Sequence, residues 1–176
     1  MDYKTKRISR FQIRLLAKIY RDIFKECISN DGLYVDVIKM FELTPDKFKN
    51  ITTEIVDDDI LDSIPGRCNP DFNGNYHIQI KESVYIGAVE GTGGYRTHIV
   101  HELSHAFMCM FGFTPVCDRS FKNRELNPCE SMEWQAKALA GEILMENELT
   151  KGMSAEELIN KCGVSLEGAV NRTTRK

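Results

Sequence analysis

His101-Glu102-Leu103-Ser104-His105 is the stretch on which the reading of this chain turns. It lies in a run that reads as a helix, with Gly93-Gly94 before it and Gly112 after it. One helical turn separates the two histidines, so both imidazoles project from the same face. A tetrahedral zinc site asks this of two nitrogen ligands. Glu102 stands next to the first of them, where it can serve a water at such a site as general base. Ile99, Val100, Leu103, Ala106, Phe107 and Met110 surround these polar groups with apolar side chains. Carrying two imidazoles and a carboxylate through an apolar surround is costly unless they have partners, and a metal satisfies both imidazoles at once.

A zinc site that keeps one position open needs a third protein ligand. A second helical stretch, Asn127 to Glu148, supplies two candidates, Glu133 and Glu130. Ala136 and Ala140 continue the stripe of Glu133 and allow close helix approach, so Glu133 is the favoured third ligand and Glu130 the competitor. The expected site is one zinc held by His101, His105 and Glu133, with Glu102 as the catalytic carboxylate.

Working outward, Ile8 to Cys27 shows helix-spaced apolar residues with a cationic, solvated face. Leu33 to Phe41 reads as a second helix, and Leu43-Thr44-Pro45-Asp46 as a new start. Thr52 to Val56 has strand character. Tyr76, Ile78 and Ile80 alternate with His77 and Gln79, a strand with one buried face and a candidate edge for pairing with an extended substrate. A short helix from Glu82 to Glu90 leads toward the histidine helix. Thr114 to Asn127 is loop-like, and two short helices flank Gly163. Pro65-Gly66-Arg67-Cys68-Asn69-Pro70-Asp71 has the composition of a turn. It also resembles the cysteine switch of matrix metalloproteinases, but that family is secreted and its zinc motif differs.

The segments from Ile78 to Arg172 resemble the ImmA/IrrE family of metallopeptidases. The resemblance is carried by Ile78-Gln79-Ile80-Lys81-Glu82-Ser83-Val84-Tyr85, by Gly91 to Val100 leading into the HExxH motif, by Glu133-Trp134-Gln135-Ala136 with Ala140 to Met145, and by Cys162-Gly163-Val164-Ser165 with Arg172. Ser104 stands where glycine is usual and Glu146 where proline is frequent; neither is a proposed ligand. The resemblance implies a zinc-dependent endopeptidase, gluzincin-like, that cleaves a helix-turn-helix repressor encoded beside it in a phage or mobile element.

The expected fold is α+β: a zincin-like metallopeptidase domain with a small mixed or antiparallel sheet packed on helices and a C-terminal helical hairpin. A single domain is expected over 1–176, divided into N-terminal helices (1–50), a catalytic core (51–148) and the hairpin (149–176). At 176 residues and 42% hydrophobic content one core is affordable. A net charge of −3 argues against a general binder of nucleic acid or anionic membrane. No apolar run reaches membrane-spanning length, and no secretory h-region is apparent. Six cysteines without a CxxC pair suit a reduced, cytoplasmic chain.

Tyr85, Tyr95, Arg96 and His98 are candidates for stabilising an oxyanion or contacting substrate. Two other function classes compete. One is a partner-binding protein on a zincin scaffold, which would have no use for Glu102. The other is a DNA-binding regulator acting through the C-terminal helices, where Ser154-Ala155-Glu156-Glu157 forms a capping box but Arg172 is the only cation in the second helix.

Overall fold

The computed structural model describes residues 2–116 and 126–174. Among them the chain forms seven α-helices and a three-stranded mixed sheet. In chain order these are α1 (Arg10–Ile23), α2 (Val37–Lys47), β1 (Ile51–Val56), β2 (Gly66–Pro70), β3 (Tyr76–Lys81), α3 (Glu82–Val89), α4 (Gly93–Met110), α5 (Met132–Leu144), α6 (Ala155–Cys162) and α7 (Leu166–Thr174). The HExxH motif is in α4 and Glu133 in the first turn of α5. The Thr114–Asn127 loop lies partly outside the described residues.

Local chemistry explains most of the helix ends. Ser9 and Ser154 open α1 and α6 as capping boxes with Gln12 and Glu157. Gly163 ends α6 in the left-handed conformation, φ 64°. Gly93 and Gly94 form the first turn of α4 instead of preceding it. A Cβ at Gly93 would lie 2.3 Å from the carbonyl carbon of Val164, so the α6–α7 corner can approach only because that atom is missing.

Other expectations also change in the fold. The first helix stops at Ile23, and a 3₁₀ turn covers Lys25–Cys27. The second helix runs from Val37 through Pro45 to Lys47, with no new start at Leu43. Pro45 falls in the last turn, where only one helical bond is lost. The Pro65–Asp71 segment is largely an edge strand, β2, not a turn.

The sheet order is β1-β3-β2, with β1 parallel and β2 antiparallel to β3. Tyr76, Ile78 and Ile80 therefore belong to the central strand, bonded on both sides, and cannot be the substrate edge. Their side chains are buried against the helices, which explains the clean alternation. Alternation reports a buried face, and it carries no information on whether a strand is central or at an edge.

α4 is the spine of the core. Ile99, Val100, Leu103, Ala106 and Phe107 are fully buried. Each of the large ones contributes about 1.5–3 kcal/mol of burial. Phe107 stacks on Tyr20 of α1 with ring centroids 3.9 Å apart, and the Tyr20 hydroxyl donates to the Phe107 carbonyl. One apolar cluster runs from Ile8 through the sheet to Ala169.

α1, α5 and α7 are further tied by charge. Glu142 on α5 has a side chain only 2% exposed. Arg172 of α7 grips both its oxygens, at 2.9 and 3.2 Å, and Arg14 of α1 adds a third bond at 3.3 Å. One turn further on, Glu146 meets Arg21 and Lys18.

Candidate metal centre

α4 and α5 pack side by side, which brings Glu133 to the two histidines across the helix pair. His101 Nε2 and His105 Nε2 are 3.1 Å apart. Glu133 sets one carboxylate oxygen 3.4 Å from His101 Nε2 and the other 3.5 Å from His105 Nε2. A tetrahedral zinc with bonds of about 2.0–2.1 Å has ligand–ligand edges of about 3.3 Å. The three groups thus form one face of such a tetrahedron.

The protonation chemistry fits a cation. Burial, aided by neighbouring His101, lowers His105 to about 4, so this imidazole is neutral near pH 7. The contact with His101 holds the Glu133 carboxyl down at about 2, so it is ionised. The ligand atoms of His101, His105 and Glu133 converge within 4.8 Å of one another. Among the described residues, no lysine or arginine forms an ion pair with Glu133. A divalent ion is the partner this donor set fits.

Glu102 is 7% exposed. Burial pushes its carboxyl up to about 7, with the charge of Glu133 adding to the shift. A carboxylate tuned to that range can both take and return a proton near neutral pH. The backbone of Cys68 on β2 opposes the rise slightly. Gly66 on the same strand lies against Glu102: a Cβ there would meet Glu102 Cγ at 2.9 Å. The edge strand that borders the site is β2.

The other sequence candidates separate. Arg96 is 1% exposed, and its described hydrogen bonds go to other elements than the ligand cluster. Its guanidinium donates to the carbonyls of Gly163 and Val35 at 2.9 and 2.7 Å and to the Tyr34 hydroxyl at 2.6 Å. It clamps the start of α4 to the α6–α7 corner, so it is withdrawn as an oxyanion donor. Tyr85 donates its hydroxyl to Glu42 of α2 at 2.7 Å, and Tyr95 packs its ring on Gly87 of α3. Neither is brought to the ligands. His98 does lie near them: the residue is exposed, yet partial desolvation and then the proximity of His101 lower its pKa. Glu130 sits in the 3₁₀ turn Pro128–Glu130 ahead of α5, off the helix face that carries Glu133. The Cys68 thiol is pushed up by burial and by Glu102, so it stays protonated and is not among the converging ligands.

Two residues that sequence reasoning missed stand close enough to act electrostatically. Lys137, one turn beyond Glu133, acts on His98, His105 and Glu133. Its position in the Glu133 stripe was a usable signal. Asp2 acts on His105, and no local pattern could have found it. No family model, no curated protein and no solved structure matches the chain.

Proposed function

We propose that the chain is a zinc-dependent endopeptidase of zincin-like fold and narrow specificity. One observation carries this reading. Two imidazoles and an ionised carboxylate converge at metal-ligand spacing, beside a buried carboxyl poised near neutrality. His101, His105 and Glu133 would hold the ion. Bound there, zinc supplies Lewis acidity toward a scissile carbonyl and lowers the pKa of the attacking water. Glu102 takes the proton from that water and returns it to the leaving amine. β2 replaces the Tyr76–Ile80 strand as the edge to which an extended substrate segment adds, because it borders Glu102. His98 and Lys137, both close enough to interact electrostatically with the cluster, are candidates for meeting developing negative charge.

The resemblance to the ImmA/IrrE family supplies the substrate class: a helix-turn-helix transcriptional repressor of a phage or mobile element, cleaved in the cytoplasm, so that the enzyme is an anti-repressor. No helix among the described residues is long and apolar enough to cross a membrane.

The rival readings are weaker. A scaffold that only binds a partner has no use for a carboxylate whose burial costs stability. A DNA-binding hairpin needs free cations, and Arg172 is committed to Glu142.

The test is to load the purified chain with zinc and incubate it with the neighbouring dimeric repressor and, separately, with unfolded casein. Cleavage of the repressor at one or two bonds, with casein spared, is expected. Digestion of casein with the repressor intact would overturn the substrate assignment.

A further inference from the structure

The residues ahead of α1 run as a strap along the start of α5. The Tyr3 carbonyl accepts from Met132 N–H at 3.0 Å, and Lys4 bridges to Ser131. Thr5 N–H donates to the Glu130 carbonyl at 2.8 Å and Ile8 N–H to that of Cys129 at 3.0 Å. Thr5 is 1% exposed, and its hydroxyl donates to Gln135 Oε1. Gln135 in turn donates to the carbonyls of Lys6 and Cys129, both at 2.9 Å.

Asp2 occupies the end of this strap nearest the metal ligands. One of its oxygens accepts from the Ser131 hydroxyl at 2.6 Å, and the other from the backbone N–H of Glu133 at 3.1 Å. Ser131 Oγ meanwhile accepts from Trp134 N–H at 2.9 Å and caps the helix. A single carboxylate thus holds the capping residue and the ligand residue of the same helical turn. The Glu133 side chain is 38% exposed, and its recorded polar contacts are with the two histidines. Its aim is therefore set by the placement of its backbone. A ligand held in place before the ion arrives loses less entropy on binding it. A second negative charge near a dication adds Coulombic attraction.

We propose that Asp2 is a positioning residue for the metal: through the backbone N–H of Glu133 and the Ser131 hydroxyl, it fixes the third ligand against α4 and raises zinc affinity. This rests on reading His101, His105 and Glu133 as the zinc ligands. Asp2 itself touches neither substrate nor the reacting atoms.

The test uses the full chain with any tag at its C-terminal end. Zinc affinity is measured by competition with a chromophoric chelator, the unfolding midpoint of the metal-free protein is measured beside it, and the cobalt-substituted protein gives an absorption spectrum. Asp2→Ala is expected to weaken zinc binding by about 10–100-fold and to alter the cobalt d–d bands. Asp2→Asn keeps an acceptor but loses the charge and should fall between Asp2→Ala and the parent. Thr5→Val breaks the strap's contact with Gln135 and leaves Asp2 in place. It should lower the unfolding midpoint while zinc affinity stays within about threefold. The proposal fails if Asp2→Ala binds zinc within twofold of the parent. It also fails if Asp2→Ala and Thr5→Val lose affinity in proportion to lost stability, which is what a merely structural strap would do. If Asp2→Ala does not fold, Asp2→Asn decides on the same criteria. A parent chain that binds no zinc would overturn the metal reading itself, and this inference with it.

Discussion

The two ends of α5 each carry a carboxylate and give it different partners. Toward the C-terminus, buried Glu142 is neutralised by the protein's own cations, with Arg172 gripping both oxygens and Arg14 and Arg10 alongside. Toward the N-terminus, Glu133 and neighbouring Glu102 face two imidazoles, of which burial keeps His105 neutral. No described lysine or arginine is ion-paired with either carboxylate. A buried carboxylate with its own guanidinium is a fastener between helices. A cluster of carboxylates and converging lone pairs without such a partner costs stability and is retained for what it binds or does. The contrast sets a charge that fastens helices apart from the charges proposed to serve a metal site.

The largest effect that would sharpen this contrast is at Glu102. Glu102→Gln should lower peptide cleavage by about 10²–10⁴-fold while zinc content stays at about one per chain. The metal-free protein should be no less stable, because a buried charge has been removed. Parent-like cleavage by this variant would remove Glu102 from the mechanism.

Next come the two ends of α5 themselves. Glu133→Gln should weaken zinc binding by about 100-fold or more, with little change in the unfolding midpoint of the metal-free protein. Glu142→Gln should do the reverse. It leaves the half-buried Arg172 without its carboxylate and should cost about 3 kcal/mol, or roughly 6–12 °C in Tm, with zinc affinity close to the parent's. If both variants lose zinc equally, or both lose only stability, the distinction between fastener and site collapses.

Arg96 offers a third case, a buried cation satisfied by carbonyls and a hydroxyl. Arg96→Ala should cost about 2–4 kcal/mol in thermal or urea unfolding. Cleavage per folded, zinc-loaded chain should remain within a few-fold of the parent. A specific collapse of turnover in folded protein would restore Arg96 as a participant in chemistry. The smallest expected effect is at Glu130. Glu130→Gln should leave zinc affinity unchanged in chelator competition, and a loss there would make it, not Glu133, the third ligand.

Much of the site was legible because it is local. The spacing of His101 and His105 is a property of one helical turn, and the apolar neighbours in α4 announce its burial. Glu133 was readable from the small residues that follow it, and the α6–Gly163–α7 hairpin from its capping box and glycine. The misreadings came where pairing or packing decides. Arg96 and Tyr95 share α4 with the histidines, but a helix turns about 100° per residue and their side chains leave toward other elements, while Tyr85 stands on α3 and bonds Glu42. Pro65–Asp71 has turn composition, yet Gly66 and Cys68 are held as strand by β3 and by the approach of Glu102.

By itself the sequence determined what short-range geometry can determine: the helices, their caps, the two histidines on one face, the adjacent carboxylate, and a strand with one buried side. Tertiary structure alone decided that β3 is central and β2 the edge, that Glu130 falls off the helix, that Arg172 is spent on Glu142, and that Asp2 grips the turn bearing Glu133. The reason is physical. Helical periodicity and capping act over a few residues and leave a pattern in the chain. Strand order, long-range ion pairs and the docking of an N-terminal strap are settled by competition for partners across the whole fold, and no local pattern records the outcome.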